Sequence, residues 1–168
     1  METIVIYQSS TGFTKQYAQW IAEELGCNVL DMKSVSKESI NQYEHIIFGG
    51  WIMGNMISGL NKIIKMNPKK LTVFAVGSTP ASEEVEKAIR TQNHLEETPF
   101  FYFEGGFHFE KLSFPVKMML KMMKKSVAKK ENKTPQDEYM VKILGTSFDH
   151  TDKKFIAPLI DIYKGTAD

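Results

Sequence analysis

The sequence predicts a doubly wound α/β fold, in which five parallel strands in the order 2-1-3-4-5 carry helices on both faces and an insertion precedes the last helix. Three observations predict it. Short β-branched and aromatic runs alternate with amphipathic stretches, which is the pattern of strand, helix, strand. Most of the intervals between runs have room for the crossover of a dozen or more residues that parallel neighbours require. Finally, 168 residues with 42% hydrophobic and 24% charged content fit one globular domain, residues 1–168, with a core of its own and no need of a disulfide or metal staple. The single cysteine, Cys27, has no partner for a bridge and no companions for a metal site, and reads as a small apolar residue. A reducing, cytoplasmic compartment fits that usage. The opening apolar run Ile4-Val5-Ile6 is too short for a signal-peptide core or a membrane span, so no export is expected.

Each element has its own warrant. Thr3 to Tyr7 is the first strand, and Phe13 to Leu25 the first helix, with Ala18, Ile21, Ala22 and Leu25 on one face and Gly26 as its stop. Asn28 to Asp31 is a second short strand, followed by the polar stretch Lys33 to Asn41. His45 to Phe48 is the third strand, Gly49 to Ser58 a glycine-punctuated loop, and Gly59 to Met66 a helix with Leu60, Ile63 and Ile64 inward. Leu71 to Val76 is the fourth strand. After Gly77-Ser78-Thr79-Pro80 a helix begins near Ser82, with Val85, Ala88 and Ile89 sharing a face, and Phe100 to Phe103 is the fifth strand.

Alternation then stops. Glu104 to Thr151 intervenes before a last helix, Asp152 to Lys164, whose Ile156, Leu159, Ile160 and Tyr163 point inward. A connection that long is not idle. Within it Ser113 is placed to cap a helix with Pro115 in its first turn; Val116, Met119, Leu120, Met123 and Val127 form one face and Lys117, Lys121 and Lys124 the other. Residues 111–133 hold eight lysines and one acid, a net +7 in a chain of +1 overall. Charge so segregated suits an anionic partner, and it equally suits a solvated helix face.

In an open parallel sheet, ligands bind beyond the carboxyl ends of the strands, where strand order reverses. Here that edge carries Ser9-Ser10-Thr11-Gly12-Phe13-Thr14, four hydroxyls and a glycine leading into a helix. Backbone N–H groups, a helix N-terminus and hydroxyls converging on one point suit a phosphate. The string is neither a nucleotide P-loop nor G-x-G-x-x-G. Read without a ligand, it is a hydroxyl-rich helix cap.

Ser9-x-Thr11-Gly12-x-Thr14 resembles the [ST]-x-T-G-x-T phosphate loop of flavodoxins, in the place where flavodoxins carry it, and the five-strand reading extends that resemblance over the chain. It implies a flavodoxin-like fold and FMN as cofactor, with Ser9, Ser10, Thr11, Gly12, Phe13 and Thr14 around the phosphate. It also implies that Gly49, Gly50, Trp51, Ile52, Met53, Gly54 and Asn55, with Gly77, Ser78, Thr79 and Pro80, flank the flavin ring. Trp51 is the stacking candidate and reads equally as a core or interface residue. The glycines serve either close approach to the ring or tight turns. No metal site is expected.

Asn55 to Leu60, the Phe-Tyr-Phe-Glu-Gly-Gly strand end, and Lys111-Leu112-Ser113 running into a Met- and Lys-rich helix resemble the flavodoxin-type, menaquinone-dependent protoporphyrinogen IX dehydrogenases of bacteria. That resemblance implies an FMN-dependent oxidoreductase with a porphyrin substrate and a quinone or redox-protein acceptor, at the periphery of the inner membrane face. The sequence departs from those dehydrogenases in having Ile52-Met53 where they carry an arginine. No acid lies within residues 49–67 or 71–82, so, unless Glu104 or Glu110 brings a carboxylate from elsewhere, an anionic reduced flavin is expected to meet little repulsion, which favours two-electron chemistry over low-potential shuttling. His108, between Phe107 and Phe109, is a candidate proton donor on the ligand edge. The other classes are a one-electron carrier and a flavin-free binding module using the lysine helix. Nucleic acid is not an expected partner, since the chain has one arginine and near-neutral balance.

Overall fold

Ile4, Val5 and Ile6 are buried on both faces of β1 (Thr3–Gln8), the signature of a strand in the middle of a covered parallel sheet. In the computed structural model, which describes residues 2–165, the chain then turns at Gly12 into α1 (Phe13–Leu25). Gly26 ends that helix in the left-handed region (φ 61°), and Cys27 N–H donates to Ala22 O (3.0 Å). β2 (Asn28–Asp31) follows, and α2 (Lys37–Ile40) is a single turn closed by a reciprocal Ser36–Ser39 capping box. Next come β3 (His45–Met53), β4 (Met56–Ile57), α3 (Leu60–Lys65), β5 (Leu71–Gly77), α4 (Glu83–Gln92) and β6 (Phe100–Glu104). Ser82 caps α4 by accepting Val85 N–H (3.2 Å).

The chain forms two compact units: residues up to Gly105 together with those from His150 onward, and Gly106–Asp149. In the second unit β7 (Gly106–Phe107) pairs antiparallel with β8 (Phe148–Asp149), and between them α5 (Phe114–Ala128) packs against α6 (Pro135–Ile143). Thr134 and Asp137 cap α6 reciprocally, with Lys130 Nζ 2.9 Å from the Asp137 carboxylate. Returning to the first unit, a 3₁₀ turn (Lys153–Ile156) leads into α7 (Ala157–Gly165).

The sheet order is β2-β1-β3-β5-β6, all parallel, with β4 antiparallel to the end of β3. Counting the parallel strands alone, this is the predicted 2-1-3-4-5. Two cores flank the sheet. On one face Val5, Ile47, Phe74 and Phe103 meet Tyr17 and Ile21 of α1 and Leu159 and Ile160 of α7. On the other, Ile4, Ile6, Phe48 and Val73 meet Ile40, Leu60, Ile63 and Ile89 of α2, α3 and α4.

Several expectations are corrected. Gly49 to Met53 is not loop but the extension of β3, because β4 folds back on it through a two-residue turn at Gly54 (φ 55°) and Asn55 (φ 64°). Positive φ at both positions is the type I′ geometry that matches strand twist. Ile64 is 45% exposed and Ala88 is exposed, so only Leu60, Ile63 and Ile89 are buried from those helices. α5 buries no residue at all, and Met119 and Met123, expected inward, are exposed together with Phe114, Met118 and Met122. Ser113 occupies its cap position without a side-chain hydrogen bond. α6 was not expected. Among the described residues no helix is long and apolar enough to cross a membrane.

Candidate functional site

Parallel strands bring all their carboxyl ends to one edge. There residues 9–12 leave β1, the β3–β4 hairpin projects past the sheet, and residues 78–82 leave β5, with Tyr7 opposite Gly49, Gly50 opposite Ala75 and Gly77 opposite Glu104. β1 leads through α1 to β2 on one side, and the chain then crosses from β2 to β3 on the other side of β1, so the order reverses at the segment that carries the hydroxyls.

Gly12 starts α1 at φ 105°, a conformation that disfavours any L side chain, and the space beside its Cα is open. No side chain caps the helix, and its first turn holds no acid. The positive end of α1 is thus left without a carboxylate of its own. Ser9 Oγ accepts Gly12 N–H (3.1 Å), which folds the segment into a tight turn. Ser10 and Gly12 are exposed, Ser9 and Thr11 half-buried, and Phe13 and Thr14 buried. The outward members and the uncapped helix end form a donor set that fits a phosphoryl group, while Phe13 and Thr14 anchor it to the core.

The glycines divide by what surrounds them. A Cβ on Gly49 would lie 2.0 Å from the Phe74 ring, one on Gly50 2.4 Å from Ser58 O, and one on Gly77 2.6 Å from the Tyr102 hydroxyl. Their lack of a side chain is therefore explained by close packing within the protein. By strand alternation Trp51 follows Ile47 and Gly49 onto the α1 face, half-buried at the end of β3, whereas Ile52 turns to the opposite core. Met53, 61% exposed, and Asn55 form the hairpin tip with Gly54.

The segment after β5 is tied at three points. Gly105 N–H donates to Gly77 O (2.8 Å), the Tyr102 hydroxyl to Thr79 O (2.7 Å), and Ala81 N–H to the Glu104 carboxylate (2.7 Å). Glu104 thereby places a carboxylate beside a segment that contains no acid of its own, which offsets the expected freedom from negative charge. Its backbone carbonyl accepts the Tyr17 hydroxyl, which also receives Asp152 N–H (3.2 Å). Pro80 is exposed and Ser78 half-buried.

Sequence reasoning missed three residues here, Gln8, Ser58 and Asn93, and named Glu104 only as a carboxylate able to arrive from elsewhere. Gln8 Nε2 donates to Ser58 Oγ (2.6 Å), joining the end of β1 to the hairpin; Glu104 holds the segment after β5; and Asn93 accepts Ile57 N–H (3.0 Å). The signal for Glu104 was its place at the end of a strand, but nothing local marks Gln8, Ser58 or Asn93. His108, the candidate proton donor, belongs to the second unit, where it precedes the 3₁₀ turn Phe109–Lys111. Cys27 is half-buried, and burial pushes its thiol pKa up, away from a reactive thiolate. Among the described residues no group of His, Cys, Asp and Glu has the arrangement to hold a metal ion. A cleft of about 360 Å³ lies along β6, lined by Phe101, Phe103, Lys154 and Phe155, and does not include the hydroxyl segment.

Among solved structures, the chain is similar to a flavodoxin from the domain Archaea (19% identity, TM-score 0.42, covering 62% of this chain and 83% of that one). It is similar also to oxidised Flavodoxin 1 from Bacillus cereus (21%, TM-score 0.45, 62% and 84%). A third is the two-electron reduced flavodoxin of Megasphaera elsdenii (14%, TM-score 0.42, 60% and 82%). No curated protein matches the sequence. The family model for the flavodoxin domain matches residues 4–134, which include the hydroxyl segment, the hairpin and every parallel strand of the sheet. With that match over most of its length and this sheet order, the chain belongs to the flavodoxin family.

Proposed function

We propose that this chain binds FMN at the carboxyl edge of its sheet and transfers electrons through it. The observation that carries the reading is the start of α1 at the strand-order reversal, where Gly12 makes no side-chain cap bond and has open space beside it and the hydroxyls of Ser9, Ser10 and Thr11 precede it, in a chain of this family. When bound, FMN supplies reversible acceptance of one or two electrons. The α1 amides and the hydroxyls of Ser9, Ser10 and Thr11 hold the phosphate, and the helix end balances its charge without a basic side chain. The β3–β4 hairpin, with Trp51 at its base, and the tied segment Gly77–Pro80 line the ring. The test is to add FMN to the purified protein, desalt it, and titrate the retained flavin anaerobically with reductant. Loss of all flavin on desalting sinks the reading.

A second observation favours a finer reading. α5 exposes Phe114, Met118, Met119, Met122 and Met123 beside Lys121 and Lys125. Methionines adapt to irregular apolar shapes and lysines attract carboxylates or phosphate headgroups. That combination suits a protoporphyrinogen-like substrate with anionic side chains, a quinone acceptor, and work at the periphery of an anionic membrane. In the same titration, reduction in two separated one-electron steps marks a carrier. Reduction in one two-electron step, with turnover of protoporphyrinogen and a quinone, marks the dehydrogenase.

A further inference from the structure

A hairpin of two residue pairs is weak on its own. β4 is two residues long, pairs with β3 through Ile52–Ile57 and Met53–Met56 and is joined to it once more where Ser58 N–H donates to Trp51 O (2.9 Å), yet it forms the tip of the edge assigned above to the flavin ring. Something outside the hairpin must hold it. Asn93, at the C-terminal end of α4, is 7% exposed and uses its whole amide to do so. Its Oδ1 accepts the buried Ile57 N–H (3.0 Å), and its Nδ2 donates to Asn55 O (2.7 Å) and back to Ile89 O (2.8 Å). One side chain thus grips the hairpin on both sides of Met56 and fastens it to a helix.

The helix end is itself fixed. Arg90 donates to Leu95 O (3.2 Å), Thr98 O (3.1 Å) and Phe100 O (3.2 Å), and its guanidinium lies 5.4 Å from the Phe100 ring centroid. Ile89 is 1% exposed. The path from β6 through Arg90 to Asn93 therefore gives the hairpin a rigid mount.

We propose that Asn93 is a positioning residue that fixes the β3–β4 hairpin as a wall of the flavin ring. The inference rests on the FMN reading above. Asn93 does not belong to the hydroxyl segment or to either segment lining the ring, and it acts through Asn55 and Ile57.

The test compares wild type, Asn93→Ala, Asn93→Asp and a control, Ile160→Ala, which opens the core on the opposite face of the sheet. In the wild type, the Ile57 amide is expected to exchange with deuterium as slowly as Val73 to Ala75, and exchange at the rate of an exposed loop overturns the proposal without any variant. Asn93→Ala is expected to speed exchange at Ile57 at least tenfold relative to the β5 amides, weaken FMN at least fivefold and shift the visible absorption of bound flavin. Asn93→Asp keeps the acceptor for Ile57 and removes both donors, so it is expected to retain Ile57 protection and lose part of the affinity. Ile160→Ala is expected to lower Tm without changing relative exchange or the flavin spectrum. A loosened hairpin with wild-type FMN affinity and spectrum overturns the proposal and leaves the cofactor reading standing. Wild-type protein that retains no FMN overturns both.

Discussion

Gly49 sits inside a strand where an extra carbon has nowhere to go. A Cβ there would fall 2.0 Å from Phe74 Cζ, and Phe74 is fully buried and stacked on Phe103 at 5.3 Å between ring centroids. The ring cannot retreat without displacing its neighbours, so Gly49→Ala is expected to cost at least about 1–3 kcal/mol of stability through overpacking. Urea denaturation measures it, and a loss under about 0.5 kcal/mol contradicts the packing argument. His45 supplies a second residue-scale prediction. Its Nε2 lies 3.0 Å from Thr72 Oγ1 and 2.7 Å from the Tyr163 hydroxyl, and burial, aided by the charge of Lys70, lowers its pKa. The folded chain therefore resists a proton that the unfolded chain accepts below about pH 6.5. This contribution to stability is whole above that pH and is lost as pH falls from there through the lowered folded value. Stability curves at intervals between pH 5 and 8 should show that decline in the wild type and a flatter profile in His45→Gln.

At the scale of elements, legibility followed the range of the forces involved. The strands were legible because Ile4-Val5-Ile6 and Leu71 to Val76 carry their burial in their own side chains, and α1 because its stop glycine lies in sequence beside its last turn. The hairpin was not legible, since Ile52 and Met53 become strand only by pairing with Ile57 and Met56, and the turn signal Gly54-Asn55 reverses the more familiar Asn-Gly order. Of the candidate site, the hydroxyl segment was legible as a donor-rich helix start because its hydroxyls and glycine lie in consecutive residues. Asn93 was not, because it acts on backbone groups far along the chain, and Glu104 could be named as a carboxylate but not matched to Ala81 N–H, 23 residues before it. α5 shows the limit of periodicity: an apolar stripe predicts a face to be covered but not what covers it. Phe114 is 74% exposed and Met122 67%, so Phe114→Ser with Met122→Ser is expected to change stability by less than about 0.5 kcal/mol each. If this face meets an anionic membrane, the same pair lowers sedimentation with phosphatidylglycerol vesicles severalfold, and added salt lowers it further. Unchanged sedimentation, or none by the wild type, removes the membrane from the proposed function.

For the whole molecule, the question is whether the first unit needs the second in order to fold. Among the described residues, the buried clusters on its two faces are drawn from residues before Gly105 and after His150. The chain leaves and re-enters it at adjacent points, for His150 N–H donates to Gly105 O at 3.0 Å. The Tyr17 hydroxyl meets Glu104 O and Asp152 N–H, so the re-entering segment is fastened to α1 and β6 by bonds that lie inside the first unit. Residues 106–149 carry a net +4, and without them the remaining chain holds −3. Replacing 106–149 by a linker of about three to five residues is therefore expected to leave a cooperative two-state domain, since closing so short a loop costs little entropy. The proposed functions should then separate. FMN binding, proposed above to use α1, the hairpin and the segment after β5, is expected to remain within a few-fold of wild type, while any attraction to anionic vesicles or porphyrin carboxylates is lost along with the lysines. Calorimetry and FMN fluorescence on the shortened chain decide it. A shortened protein that folds but has lost its flavin would assign part of the cofactor site to residues 106–149. One that keeps its flavin places electron transfer in the first unit and leaves the second as the part that chooses what the electrons come from or go to.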